Sequence, residues 1–306
     1  MPTIDRTDII RGPAVLNFAS QTFYSKGDIS LTIEQTTVEK TSDVYGIIGR
    51  AVTDRQVKVR FTPVGEIEAL TVLYPYGTAG SYALGSSIYG AADTALTITS
   101  TYSVTVVLNC AVTQMPSLTL GAGTTAFGEC EFTGILKKDG NPNAQTSYFT
   151  YAESTQSLPT TMSVATVLSG VYQGTFYGDT VDSISGFTVD FDLSLAPVVA
   201  DGYGTLDMRI QDVQFTATWE PIGNSGWPND ILTYIGNAPG AELYSSALTI
   251  ATATTGGISF TADKTTLANI DLMWGAGANV MGPMTVNSHR DVAAGALDNL
   301  FAIAVV

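Results

Sequence analysis

Short runs in which apolar and polar residues alternate recur along the whole chain. Ile29-Ser30-Leu31-Thr32-Ile33, Val57-Lys58-Val59-Arg60-Phe61 and Leu96-Thr97-Ile98-Thr99 each alternate with a period of two, which sends successive side chains to opposite faces of a strand. Val104-Thr105-Val106-Val107-Leu108, Phe187 to Leu195, Val213 to Trp219 and Leu248-Thr249-Ile250 are further strand candidates. They are rich in β-branched residues and Thr, which suit a pleated, half-buried surface. Asp139-Gly140 and Asp201-Gly202 supply tight-turn chemistry between such runs. Helical signals are few. Gly65 to Tyr74 carries acidic residues in its first turn, where a helix dipole favours them. Asn229 to Ile235 and Asp291 to Phe301 are two further helix candidates. The pattern predicts a mainly β protein.

The pattern also repeats. Val57 to Phe61 leads into Thr62-Pro63-Val64-Gly65 and the first helix candidate, and Val213 to Trp219 leads into Glu220-Pro221-Ile222-Gly223 and the second. Leu96-Thr97-Ile98 then matches Leu248-Thr249-Ile250. Leu118-Thr119-Leu120-Gly121-Ala122-Gly123, with Gly128 beyond it, matches Leu272-Met273-Trp274-Gly275-Ala276-Gly277, with Gly282 beyond it. Blocks that keep their order at offsets of about 155 residues mark an internal duplication. The chain is therefore expected to hold two tandem β-sandwich or barrel-like domains, each with a short flanking α-helix. The first, residues 1–155, would include an N-terminal arm and a long loop; the second is 156–306. The seam is expected in the polar stretch Ser154 to Thr161. A segment from about Thr36 to Gln56 is expected to be an addition carried by the first copy alone.

Composition narrows the chemistry. The chain has 306 residues and a formal net charge of −15. Charged residues make up only 13% and apolar ones 45%, which excludes a disordered acidic tail. The acidic balance argues against a nucleic-acid reader, which needs a basic footprint. One histidine, His289, excludes a multi-histidine metal site and leaves room for at most one His-dependent catalytic arrangement. Met1 to Arg6 lacks the basic-then-apolar pattern of a secretory leader, and no window is apolar enough for a membrane helix. Cys110 and Cys130 form neither a disulfide framework nor a zinc pattern and read as core residues. Gly121 to Gly128 lacks the Gly-Lys-Ser/Thr ending of a phosphate loop and reads as a glycine-rich turn used twice. Glu66 and Glu68 read as a solvated helix start. Glu129 and Glu131 share a strand face, read as an outward face or a lumen wall rather than a cation site. No catalytic residue, cofactor or metal is expected, and the chain is not read as an enzyme.

A β protein of low charge, rich in Thr, Ser, Gly and Tyr, suits self-assembly through sheet edges. Arg11 to Phe18, Thr22 to Ile29 and Tyr45 to Glu66 resemble the corresponding segments of major tail tube proteins of long, non-contractile-tailed bacteriophages and related prophages, over about residues 11–135. That resemblance implies a virion structural protein of siphovirus type, assembled in the host cytoplasm into the tail. Six tube domains would form a ring whose strands close a barrel around a DNA channel. DNA would pass the lumen without specific binding, and no membrane is involved. Two domains per chain then imply a homotrimer, a pseudo-hexameric ring stacked into a tube alongside other tail proteins and conducting DNA on ejection. By the same analogy the Thr36 to Gln56 segment reaches a neighbouring subunit, with Tyr45, Arg50, Asp54 and Arg55 as interface residues, and the Met1 to Gly12 arm does likewise. The competing readings are another virion β protein (tail terminator, baseplate or capsid decoration) and a lectin-like adhesin using Trp219, Trp227 and Trp274.

Overall fold

The computed structural model describes residues 14–65, 67–77, 84–89, 95–100, 104–121, 126–135, 148–153, 172–200, 204–221, 246–252, 257–272, 281–289 and 300–305. The first half holds β1 (Ala14–Phe18), β2 (Gln21–Ser25), β3 (Ser30–Ser42), β4 (Gly46–Phe61), β5 (Pro63–Val64), β6 (Ala95–Ser100), β7 (Val104–Asn109), β8 (Ala111–Gln114), β9 (Leu118–Leu120), β10 (Ala126–Phe127), β11 (Cys130–Gly134) and β12 (Thr150–Glu153). The second holds β13 (Tyr172–Phe176), β14 (Asp179–Ala200), β15 (Gly204–Pro221), β16 (Ser246–Thr252), β17 (Ile258–Leu272), β18 (Met281–Ser288) and β19 (Ala302–Val305). One turn of helix, α1 (Ile67–Leu70), runs into a 3-10 turn at Thr71–Leu73. The fold is mainly β, with antiparallel pairing throughout the named strands. The helix candidate at Asn229 to Ile235, nearly all of that at Asp291 to Phe301, the Asp-Gly turns, the Ser154 to Thr161 seam, the Met1 to Gly12 arm, Trp227 and Trp274 lie outside the described residues.

One pairing scheme occurs twice. β1 lies between β2 and β6, with Phe18 opposite Gln21 and Ala14 opposite Ser100. β13 lies between β14 and β16, with Phe176 opposite Asp179 and Tyr172 opposite Thr252. Phe61 on β4 faces Cys130 on β11, and Trp219 on β15 faces Met284 on β18. The turns recur too. Ala19 and Ser20 have φ of 50° and 65°, and Tyr177 and Gly178 have φ of 53° and 80°. Two positive φ values in succession give the two-residue hairpin turn whose twist matches its strands.

The long hairpins correspond residue for residue at a spacing of 158 (Phe18 to Phe176, Gly46 to Gly204). Ser42 opposite Gly46 closes β3–β4, and Ala200 opposite Gly204 closes β14–β15. Both end in the pattern Asp-x-Tyr-Gly, Asp43 to Gly46 and Asp201 to Gly204. Both glycines are left-handed, with φ of 71° and 75°. The register slips between Thr36 and Thr37 and between Lys40 and Thr41 in one hairpin, and between Ser194 and Leu195 and between Val198 and Val199 in the other. Bulges at matching positions bend and twist the two hairpins alike. This corrects the expectation that Thr36 to Gln56 belongs to the first half alone: β14 and β15 carry the counterpart.

The halves differ in how the sheets join. In the first, Lys26 to Ile29 separates β2 from β3 and Cys110 separates β7 from β8, leaving a sheet of order β12-β7-β6-β1-β2-β5 and one of order β3-β4-β11-β8. In the second, β14 and β17 run on unbroken, so β14-β13-β16-β17-β18-β15 closes back onto β14 as a six-membered ring of strands. Aromatic residues fill both interiors. Phe61 stacks on Phe132, which meets Phe18 edge-on at 4.7 Å; Trp219 lies 5.6 Å from Phe187 and 6.1 Å from Phe176. Trp219 is thus a core residue, and one apolar core runs through both halves.

Candidate assembly interface

Three contacts seat the β14–β15 hairpin against the first half. The outer edge of β14 takes β9 as an added strand, with Phe187, Thr188 and Val189 opposite Leu120, Thr119 and Leu118. The edge of β15 takes the Gly85–Ile88 segment: Gly85 donates to the Ile210 carbonyl at 2.7 Å, Ile210 to Ser86 at 3.0 Å and Ile88 to Met208 at 3.0 Å. Ser87 Oγ also donates to Asp207 Oδ1. The third contact is Asp54, whose Oδ1 accepts the Thr205 N–H at 2.8 Å and whose Oδ2 accepts the Thr205 hydroxyl at 2.9 Å. Tyr74 and Gly77 extend the seam onto Phe191 and Phe301.

Asp54 follows the β4 bulge that faces Thr36 and Thr37, and its Oδ1 also accepts the Arg55 N–H at 2.9 Å. Bulges displace ladder donors, and a short carboxylate is well placed to satisfy one. Partial burial pushes the Asp54 carboxyl up. The hydrogen bonds from Thr205, Arg55 and Gln56 together outweigh that and hold it below the ordinary aspartate value. Its counterpart at the matching bulge is Asp212, which accepts the Val213 N–H at 2.9 Å and the Gln214 amide at 2.6 Å. The local arrangement of Asp54, Arg55 and Gln56 is therefore repeated by Asp212, Val213 and Gln214.

The four interface residues expected from the sequence separate into two groups. Tyr45 stands at the β3–β4 turn, 81% exposed, and Arg50 pairs with Glu39 across the same exposed ribbon at 2.8 Å. Asp54 and Arg55 sit nearer the body, where Asp54 bonds the second half of its own chain and Arg55 reaches Gln35 Oε1 at 3.2 Å and lies 5.8 Å from the Tyr148 ring centre. The ribbon also exposes Leu31, Ile33, Val38, Val44, Ile47, Ile48 and Val52. Thr205, Gly85–Ile88 and β9 escaped sequence reasoning. The usable signal was the Asp-x-Gln of residues 54–56, which recurs at 212–214.

The sheets also present a polar outer face. In the first half it carries Thr32, Glu34, Gln56, Lys58, Arg60, Glu131 and Thr133, which share one side of β3, β4 and β11. The matching face of β14, β15 and β18 carries Thr188, Asp190, Asp192, Gln214, Thr216, Thr218, Thr285 and Asn287. Glu131 and Thr133 depart from the outward reading, since both are buried. Glu131 accepts Arg60 Nε at 2.6 Å and the Thr113 hydroxyl at 2.9 Å, and its contact with Arg60 raises that guanidinium above its ordinary value. At the equivalent positions the second half places Thr218 opposite Thr285.

Other candidate chemistry is placed as follows. Cys110 and Cys130 are free and buried, and burial pushes both thiols far up. His289 follows β18 and donates its backbone N–H to Lys264 at 3.1 Å. Among the described residues no group of three or more His, Cys, Asp or Glu is disposed to hold a metal, and no helix is long and apolar enough to cross a membrane. Compared with known proteins, the chain matches no family model and no curated sequence.

Proposed function

We propose that the chain is a structural subunit of a phage tail tube, with two tandem tube domains that assemble into stacked rings around a DNA-conducting channel. The observation that carries this reading is the doubled pairing scheme, shared down to the hairpin bulges and turns. One chain then supplies two near-equivalent wedges, and three chains supply six. Head-to-tail contacts between equivalent units make a ring wherever the rotation closes. The polar outer faces support the same reading, because they have the composition of a channel wall. Among the exposed or half-buried residues named on them, Glu34, Asp190 and Asp192 stand against Lys58 and Arg60, and Arg60 is already paired with the buried Glu131. A wall with excess negative charge repels a polyanion and lets it slide, the reverse of a binding groove.

Electron microscopy of the purified protein tests the proposal. Stacked rings with three chains per layer are the expected result. A strictly monomeric species at high concentration overturns it, and single rings that never stack move the assignment to a tail terminator.

A further inference from the structure

We infer that the second half of each chain seats the β3–β4 hairpin of the next chain, in the register by which the first half seats the β14–β15 hairpin of its own. The inference rests on the ring reading, which supplies a second copy as the occupant. It starts from a difference in exposure between equivalent positions. Thr205 and Ile210 are 4% and 3% exposed because the first half covers them, while Ile47 and Val52, 158 residues earlier, are 56% and 48% exposed. Among the described residues β3 pairs with β4 alone, so its outer edge is open along its length, whereas the edge of β14 is covered by β9. An open strand edge bearing apolar side chains is a template for another strand. The first hairpin is the second hairpin with its seat removed.

The second half contains the parts of such a seat. β9 and β10 pair through Leu118 and Phe127, and the end of β17 pairs with β18 through Leu272 and Met281, the same contact 154 residues on. Asp212 repeats Asp54 with its local bonds. The repeat therefore fixes the contacts. Leu272 of one chain lies opposite Leu31 of the next, as Leu118 lies opposite Val189. The Asp212 carboxylate of one chain accepts the Ile47 N–H of the next, as Asp54 accepts the Thr205 N–H. The contact uses different surfaces on the two chains, so it is heterologous and propagates in one direction. It adds backbone ladder bonds to an edge, the mode of recognition by strand addition.

The test joins Ile47 to Asp212. The I47C/D212C protein, treated with a short bis-maleimide, should give covalent species up to the full ring on a denaturing gel, while a mixture of the I47C and D212C single variants should stop at dimers. The buried native thiols stay out of the reaction. Microscopy of the same samples reads rings independently. Rings without cross-links, or I47C joining to itself, overturn the seating and leave the tube reading standing. Cross-links without rings support the seating and overturn the tube reading, and the absence of both overturns both. In a second variant, I47D sets a carboxylate against Asp212 at a site exposed in the monomer. It should leave monomer melting unchanged and raise the concentration needed for assembly at least about tenfold.

Discussion

Substituting Asp54 by Ala removes the one side chain that, among the described residues, ties the two hairpins together through a charge. Its carboxylate accepts the Thr205 N–H at 2.8 Å, the Thr205 hydroxyl at 2.9 Å, the Arg55 N–H at 2.9 Å and the Gln56 amide at 3.5 Å. The last is long enough to count for little. Gln56 also reaches the Thr205 hydroxyl at 3.2 Å and can keep part of the contact. Hydrogen bonds to a charged acceptor contribute roughly 1.5–3 kcal/mol each, and a buried donor left unpaired costs about 1–3 kcal/mol. Thr205 is buried, so its N–H is the expensive one, whereas Arg55 is only half-buried. The three short bonds share one acceptor and are not additive, so the loss in D54A should be about 3–4 kcal/mol rather than their sum.

Urea unfolding of the monomer measures that loss, and the double-mutant cycle with T205A isolates the pair. T205A keeps the N–H and removes only the hydroxyl, so the cycle should give a coupling of about 1–2 kcal/mol. Acid adds an independent check. The Asp54 carboxyl is held below its ordinary value in the folded protein, so its stabilisation is present above pH 3.8 and disappears as pH falls through the lower folded value. Wild type should lose stability more steeply than D54A in that range. A D54A protein within about 0.5 kcal/mol of wild type, or a cycle with no coupling, would refute the argument that Asp54 holds the seam.

Three further outcomes follow from comparing the halves. The buried Glu131 with its Arg60 partner occupies the positions that hold Thr285 and Thr218, so R60T/E131T should unfold within about 1 kcal/mol of wild type while E131A alone costs about 2–3 kcal/mol, both read by chemical denaturation. Gly46 and Gly204 share a left-handed backbone, but a methyl at Gly46 meets open space and one at Gly204 strikes Asp54 Oδ1 and the Thr53 carbonyl. G46A should therefore cost about 1 kcal/mol and G204A at least twice that by thermal unfolding. The Cys110 and Cys130 thiols are raised by burial, so they should resist alkylation at pH 8 until the chain unfolds. Their contribution to stability should be complete below the ordinary thiol value of 9.0 and decline above it, seen as a falling melting temperature.

The alternation of Val57 to Phe61 and Val213 to Trp219 made the central strands legible, because each has one face in the core and one in water. The Thr-Pro-Val-Gly and Glu-Pro-Ile-Gly blocks made the repeat legible because each follows its matched alternating run directly in the sequence. The second long hairpin was missed because its apolar positions, Phe187 to Leu195, read as an ordinary buried strand, whereas the polar ribbon of β3 reads as a loop. Two environments disguised one structure. The helix at Gly65 to Tyr74 shrank to a turn and a 3-10 segment, since Val72 and Tyr74 follow the demands of packing rather than propensity. The seat itself was invisible in advance. β9 is three residues long, and its partner on β14 is 67 residues distant (Leu120 to Phe187), so no local pattern joins them.

The chemistry of the two hairpins makes physical sense of their difference. On β14 the side chains turned to the core and the first half are Val189, Phe191, Leu193 and Leu195; on β3 the equivalents are Leu31, Ile33, Gln35 and Thr37. The β14 set is covered as soon as one chain folds, so its apolarity carries no risk outside the chain. The β3 set faces water until a second chain arrives. A long apolar edge held in that state would pair indiscriminately, and natural edges are guarded by polar and charged residues. Glu39 paired with Arg50 and Glu34 paired with Lys58 are such guards on the exposed ribbon. Leu31 and Ile33 remain apolar near the base, where the Leu272 strand of the neighbour would reach first. Exposed apolar positions, Leu31 and Ile33 at the base and Val38, Ile47, Ile48 and Val52 toward the tip, are thus interrupted by ion pairs, which is what a hairpin seated only on assembly requires: apolar enough to hold once the register is right, with charges that oppose a wrong one.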